Sequence, residues 1–179
     1  MKVIAISGSP RIGGNSDVLC DEFLKGAKEA ECEVEKVSLA KIQLSPCSAC
    51  YACGKTGKCI QKDGMEEVLE KLIQSDVILL ATPVYFYSMD AQMKMFIDRC
   101  LPRYQEIKNK DFYFALTAAD PNHEAMEPTI AGFRGYTACL PGAKEKNVFY
   151  GTGAWEKGDI LGLPVMQKVY EAGKNVKNQ

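Results

Sequence analysis

The chain has 179 residues, 46% hydrophobic and 25% charged, the balance of a folded globular chain rather than a disordered, fibrous or coiled-coil one. Its 22 Lys and Arg against 23 Asp and Glu leave a net charge of −1, so no sequence-wide positive field exists to hold nucleic acid or an anionic membrane. The length suits one domain over residues 1–179.

No apolar run approaches the roughly 20 residues of a membrane span. The apolar start of MKVIAISGSP is broken at Ser7 and Gly8, with no small-residue cleavage site after it, so a cytoplasmic location is expected. There thiols stay reduced, and eight cysteines point to metal or redox chemistry rather than disulfides. Arginines are few: Arg11, Arg99, Arg103 and Arg134.

Residues 2–7, KVIAIS, predict a first strand. Val18, Leu19, Phe23, Leu24 and Ala27 have helical spacing over 16–30, with Asn15 or Ser16 as the cap. A second strand fits 33–38, and a helix fits 64–75 through Val68, Leu69, Leu72 and Ile73. Between them, 41–63 is a long cysteine-rich connection, of a length that is usually functional in a compact domain. The run 76–82, DVILLAT, suits a strand buried on both faces. A helix near 89–101, a strand at 111–118, a helix after Pro121, a strand at 146–151 and a helix at 160–175 follow; the polar tail NVKNQ is expected to fray. This alternation predicts an α/β fold: a flavodoxin-like, doubly wound, five-stranded parallel sheet of order 2-1-3-4-5, with a cysteine-rich loop insertion.

After the first strand comes Gly8-Ser9-Pro10-Arg11-Ile12-Gly13-Gly14-Asn15-Ser16. A loop at the carboxyl end of a strand and the start of a helix favours an anion. Ser9, Asn15 and Ser16 offer short donors and Arg11 a fixed charge. The pattern is neither a P-loop nor G-x-G-x-x-G; a tight turn with an ordinary cap is the alternative. The third strand runs into Thr82-Pro83-Val84-Tyr85-Phe86-Tyr87-Ser88-Met89. Its adjacent aromatics can form a flat wall for a ring system, with Ser88 capping the next helix. Packing of Tyr85 and Phe86 against neighbouring helices or a partner subunit is the alternative.

The segments ISGSPRIGGNS and ATPVYFYSMDAQMKMFIDR resemble the flavin-binding loops of the NADPH-dependent FMN reductase family. The resemblance implies a flavodoxin-like fold that binds FMN. It implies that Ser9, Arg11, Asn15 and Ser16 hold the FMN phosphate, and that Pro83, Val84, Tyr85 and Phe86 line the ring. Thr117 and Ala118 would add a third contact after the fourth strand. Pro10 and Ser88, in the same two loops, are counted with the cofactor contacts. No site is carried to Gly151-Thr152-Gly153-Ala154-Trp155, where Trp155 reads as packing rather than as a cap on the pocket.

Cys47, Cys50, Cys53 and Cys59 form C-x2-C-x2-C-x5-C. Thiolates select zinc, copper(I) or iron–sulfur groups. Three cysteines spaced three apart can wrap one corner of a cubane. The fourth, after a flexible Gly54-Lys55-Thr56-Gly57-Lys58, can close it, and Lys55, Lys58 and Lys62 would partly offset its charge. With the two loops, this motif resembles the iron–sulfur flavoprotein branch of the family, which implies that these four cysteines ligate one 4Fe-4S cluster. Two departures from that branch are Asp63-Gly64-Met65, in place of an acidic pair before the methionine, and Ala49, where glycine is frequent. Zinc and redox-active C-x-x-C pairs are the alternatives. Cys20, Cys32, Cys100 and Cys139 read as buried apolar residues, and His123 as a loop or cap histidine.

The expected function is an FMN oxidoreductase moving electrons from NAD(P)H or ferredoxin to a small acceptor: a quinone, free flavin, oxygen or a carrier protein. FMN does the chemistry, so no catalytic side chain is assigned. A homo-oligomer, dimer or tetramer, is expected. A cluster-free NAD(P)H-dependent FMN or quinone reductase is the enzyme alternative. A flavodoxin-like electron carrier is the non-enzyme alternative, and the near-neutral charge argues against it.

Overall fold

The computed structural model describes residues 1–178. Strand β1 (Lys2–Ser7) pairs in parallel with β2 (Glu33–Ser38) on one side and β3 (Val77–Tyr85) on the other. β3 pairs with β5 (Asp111–Thr117), and β5 with β6 (Lys144–Gly151), again in parallel. The order β2-β1-β3-β5-β6 matches the expected 2-1-3-4-5 once the two-residue β4 (Ser88–Met89), antiparallel to the end of β3, is set aside.

Alternation along β1 explains the two cores. Ile4 and Ile6 face one layer with α3 (Met65–Gln74), α4 (Ala91–Arg99) and α5 (Glu127–Thr137); Val3 and Ala5 face the other with α1 (Asn15–Glu29) and α6 (Val165–Lys174). With helices on both faces, the central strands carry unbroken apolar runs. α1 and α6 touch backbone to backbone: a Cβ on Gly173 would lie 2.1 Å from the Phe23 carbonyl oxygen. Among the described residues no helix is long and apolar enough to cross a membrane.

Several local expectations are corrected. α1 begins at Asn15 with Gly14 in the cap position and no side-chain cap, because Asn15 is committed elsewhere. Ser88 does not cap α4; it lies in β4, and the Asp90 carboxylate accepts the Met93 N–H at 2.9 Å instead. After Pro121 a 3-10 turn at His123–Met126 precedes α5, and another at Asp159–Gly162 precedes α6, whose start is set by Pro164. The tail does not fray at Val176, which is 2% exposed in the core under α6; Gln179, also placed in that tail, lies outside the described residues. Cys20, Cys32 and Cys100 are buried, but Cys139 is exposed, since Leu140 takes the inward position after Ile130 and Phe133.

Candidate functional site

The carboxyl ends of β1, β3, β5 and β6 open onto one cleft of about 340 Å³. It is lined by Ser9, Arg11, Gly14, Asn15 and Ser16 from the first loop, Pro83, Val84, Tyr85 and Phe86 from the second, and Thr117, Ala118 and Ala119 from the third. Ala154 and Trp155 complete it. Of the residues singled out from the sequence, Pro10 and Ser88 are not among its lining; both are exposed.

The first loop sorts its polar groups. The Ser16 hydroxyl is buried with no partner, in the opening turn of α1, where helix N–H groups lack partners within the helix. The Arg11 side chain is exposed at the rim. Ser9 serves the bend itself: its hydroxyl donates to the Arg11 carbonyl oxygen at 2.9 Å and accepts the Arg11 N–H at 3.2 Å. Asn15 ties to the loop after β6, donating to the Glu156 carbonyl oxygen and accepting from the Gly158 N–H. Asp17 accepts the Gly13 N–H at 2.8 Å and pairs with Lys36 at 3.0 Å, which anchors the loop to α1 and β2.

β3 runs three residues past its expected end at 82 because the chain reverses at Phe86-Tyr87 and pairs back, Tyr85 opposite Ser88 and Val84 opposite Met89. Both turn residues have positive φ, +48° and +62°, a conformation that hairpins usually give to Asn and Gly. Phe86 is wholly exposed and so packs on no neighbouring helix. The base of this hairpin is fixed by Thr82, whose hydroxyl accepts the Asp90 N–H at 3.0 Å. Asp90 itself is 1% exposed beneath Gly8, where a Cβ would come 2.6 Å from its Oδ1. Burial pushes this carboxyl up to about 7, against the pull of the Met93 N–H and Thr82.

On the far wall, Thr117 and Ala118 were expected from the sequence; Ala154 and Trp155 were not. Ala118 donates to the Gly151 carbonyl oxygen at 3.0 Å, and Ala154 to that of Ala118 at 2.8 Å. Asp159 accepts the N–H groups of Trp155 and Glu156. Trp155 is thereby held on the rim, 71% exposed rather than packed. The usable signal was positional: this segment leaves the carboxyl end of the last strand, where such folds bind ligands.

The cysteine loop borders a second cavity. Cys47, Cys50, Cys53 and Cys59 all border one small cavity, together with Arg99, Ile60 and Leu101. The expected flexible spacer is instead one helical turn, α2 (Cys53–Thr56), closed by Gly57 at φ +68°. Ala49 and Tyr51 also take positive φ, +53° and +56°. Among the described residues no three His, Cys, Asp or Glu side chains converge to hold a single metal ion. Lys55, Lys58 and Lys62 are exposed; the buried cation at this cavity is Arg99, at 2% exposure. Its guanidinium meets both oxygens of Asp63, at 2.7 and 2.9 Å, and holds that carboxyl below the usual range. His123 stands edge-on to Tyr150, ring centres 5.4 Å apart, and does not line the cleft.

The family model described as NADPH-dependent FMN reductase matches residues 1–127. An iron–sulfur flavoprotein of Methanocaldococcus jannaschii is 46% identical over 102 residues, 57% of this chain and 53% of its own. An iron–sulfur flavoprotein of Methanosarcina thermophila is 39% identical over 133 residues, 73% of this chain and 69% of its own. Apart from the latter, the chain spans about half the length of the iron–sulfur flavoproteins it matches. Among solved structures, an FMN-dependent NADH-azoreductase from Bacillus anthracis, in complex with FMN, superposes with a TM-score of 0.77 at 12% identity, over 99% of this chain and 100% of its own. That likeness is one of fold.

Proposed function

Because the chain belongs to the NADPH-dependent FMN reductase family, we propose that it is an FMN-dependent oxidoreductase that also carries one 4Fe-4S cluster. Electrons would come from NAD(P)H or reduced ferredoxin and leave to a small acceptor such as a quinone, free flavin, oxygen or a carrier protein. The observation that carries the flavin reading is the cleft, where an orphaned Ser16 hydroxyl and an opening helix turn stand at one end and an aromatic wall at the other. The first end suits a phosphate and the second a flat ring.

FMN, when bound, supplies two-electron acceptance and one-electron release. The protein's part is to hold and shield it. Ser16 and Arg11 would hold the phosphate, with Ser9 and Asn15 shaping the loop around it. Pro83, Val84, Tyr85 and Phe86, together with Thr117, Ala118 and Trp155, would line the ring. For the cluster, the support is a donor set made only of thiols around one cavity with a buried cation beside it, which suits a group of net negative charge. Exposed Phe86, Tyr87 and Trp155 on one rim support assembly as a homo-oligomer, since apolar groups of this size gain by being covered. Light scattering should then give a mass above that of one chain.

Anaerobic purification followed by a visible spectrum and assays of flavin, iron, sulfide and zinc tests the whole reading. Flavin with about four iron per chain is expected. Flavin with zinc removes the cluster, and a chain that takes up no FMN offered in excess removes the central proposal. Cys53→Ala should lose iron and keep FMN.

A further inference from the structure

The guanidinium of Arg99 is placed in an unusual way. Its side chain is 1% exposed, yet none of its hydrogen-bond partners belongs to the sheet. Nη1 donates to the Ser45 carbonyl oxygen at 2.6 Å, to Gln61 Oε1 at 2.7 Å and to Asp63 Oδ2 at 2.7 Å. Nη2 gives one hydrogen to Asp63 Oδ1 at 2.9 Å, and the other faces Cys59 Sγ at 3.6 Å. Every partner lies within the cysteine loop, 41–63. Burying a guanidinium is costly, and one carboxylate repays that only in good geometry. Here the two-pronged grip on Asp63 leaves one Nη2 hydrogen, and it goes to the one thiol set apart from the 47–50–53 triplet.

We propose that Arg99 is a positioning and charge-compensating residue for an iron–sulfur group held by the four thiols. α4 delivers it as a rigid donor that fixes Cys59 Sγ and offsets negative charge there, while Asp63 sets how much of its positive charge the sulfur feels. The proposal rests on the four-thiol reading above and goes beyond it, because it assigns a residue that is not itself a ligand. Hydrogen bonds and nearby positive charge at cluster sulfurs favour the reduced, more negative form and so raise its potential.

The test is a redox titration of anaerobically purified holoprotein, followed by electron paramagnetic resonance, alongside iron, sulfide and FMN assays. Arg99→Gln should move the cluster potential to more negative values and speed iron loss to a ferrous chelator by about ten- to a hundredfold. Asp63→Asn should move the potential the opposite way, because it frees the guanidinium charge. Arg99→Lys, which keeps charge without the fork, should stay closer to the parent potential than Arg99→Gln. FMN content should be equal in all. A residue that only packs the loop would change iron content without opposite-signed shifts. If Arg99→Gln does not fold, Asp63→Asn decides the sign by itself. Shifts of one sign, or none, in iron-retaining variants overturn the inference and leave the cluster reading intact. A parent protein without iron and sulfide overturns both.

Discussion

Asn15, the first residue of α1, donates from its side chain to the carbonyl oxygen of Glu156, 2.8 Å away and 141 residues further along the chain. The same amide accepts the N–H groups of Gly158 at 3.0 Å and Ile160 at 3.4 Å. Lys157 adds a bond of 2.9 Å to the Ile12 carbonyl oxygen. One buried side chain thus binds the loop after β6 to the loop after β1, and so sets the width of the cleft.

Replacing Asn15 with Ala strips three backbone groups of a partner. Each buried polar group left unpaired costs about 1–3 kcal/mol, so a loss of roughly 2–3 kcal/mol is expected by denaturant titration, after solvent recovers part of it. FMN affinity should fall at least about tenfold, since the Trp155 wall is released; flavin fluorescence titration of the apoprotein measures it. Unchanged affinity would mean that the loop does not shape the cofactor site.

Trp155→Ala separates binding from stability. The side chain is 71% exposed, so its loss should change stability by no more than about 0.5 kcal/mol. A stacked aromatic is worth about 0.5–1.5 kcal/mol, which corresponds to about a two- to twelvefold weaker grip on FMN. Trp155→Phe should restore most of it.

Asp90 gives the fold a pH dependence of uncommon sign. Its carboxyl is raised from 3.8 to about 7 by burial, so between those values the folded chain holds a proton that the unfolded chain has lost. Stability therefore falls as pH rises through that window and levels off above it. Asp90→Asn keeps a good cap and has no charge to bury. Its melting temperature should exceed that of the parent at pH 8 and nearly match it at pH 4; the reverse ranking would place Asp90's charge in a favourable setting.

The Phe86-Tyr87 turn holds two bulky residues at positive φ, each strained by about 1–2 kcal/mol. Substituting Asn-Gly there should stabilise the chain by about 1–2 kcal/mol in all, while weakening FMN binding and any assembly through this rim. A variant that is both more stable and equally active would show the aromatics to be dispensable.

Much of the fold was legible in the residues. The buried runs 76–82 and 111–118 suited strands covered on both faces, and the alternation with helices suited parallel crossovers in the flavodoxin-like order that the sheet shows. The two loops after β1 and β3 announced themselves by glycines and aromatics, local features that sequence displays directly. The C-x2-C-x2-C-x5-C pattern was equally visible, and all four thiols border one cavity.

What folding alone decided were the roles of side chains that act across long stretches of chain. Asn15 read as a cap or an anion donor, but its amide goes to a segment more than a hundred residues away. Ser88 lost the α4 cap to Asp90 because the Phe86-Tyr87 reversal turned it into a strand. Trp155 reached the cleft through Ala154's bond to Ala118 and Asp159's hold on the Trp155 N–H, and Arg99 became the cation of the cysteine loop because α4 carries it there. Periodicity and turn chemistry are set by neighbours within a few residues, so the string of letters states them. A hydrogen bond between distant segments depends on where the sheet and its crossovers put them, and that placement exists only in three dimensions.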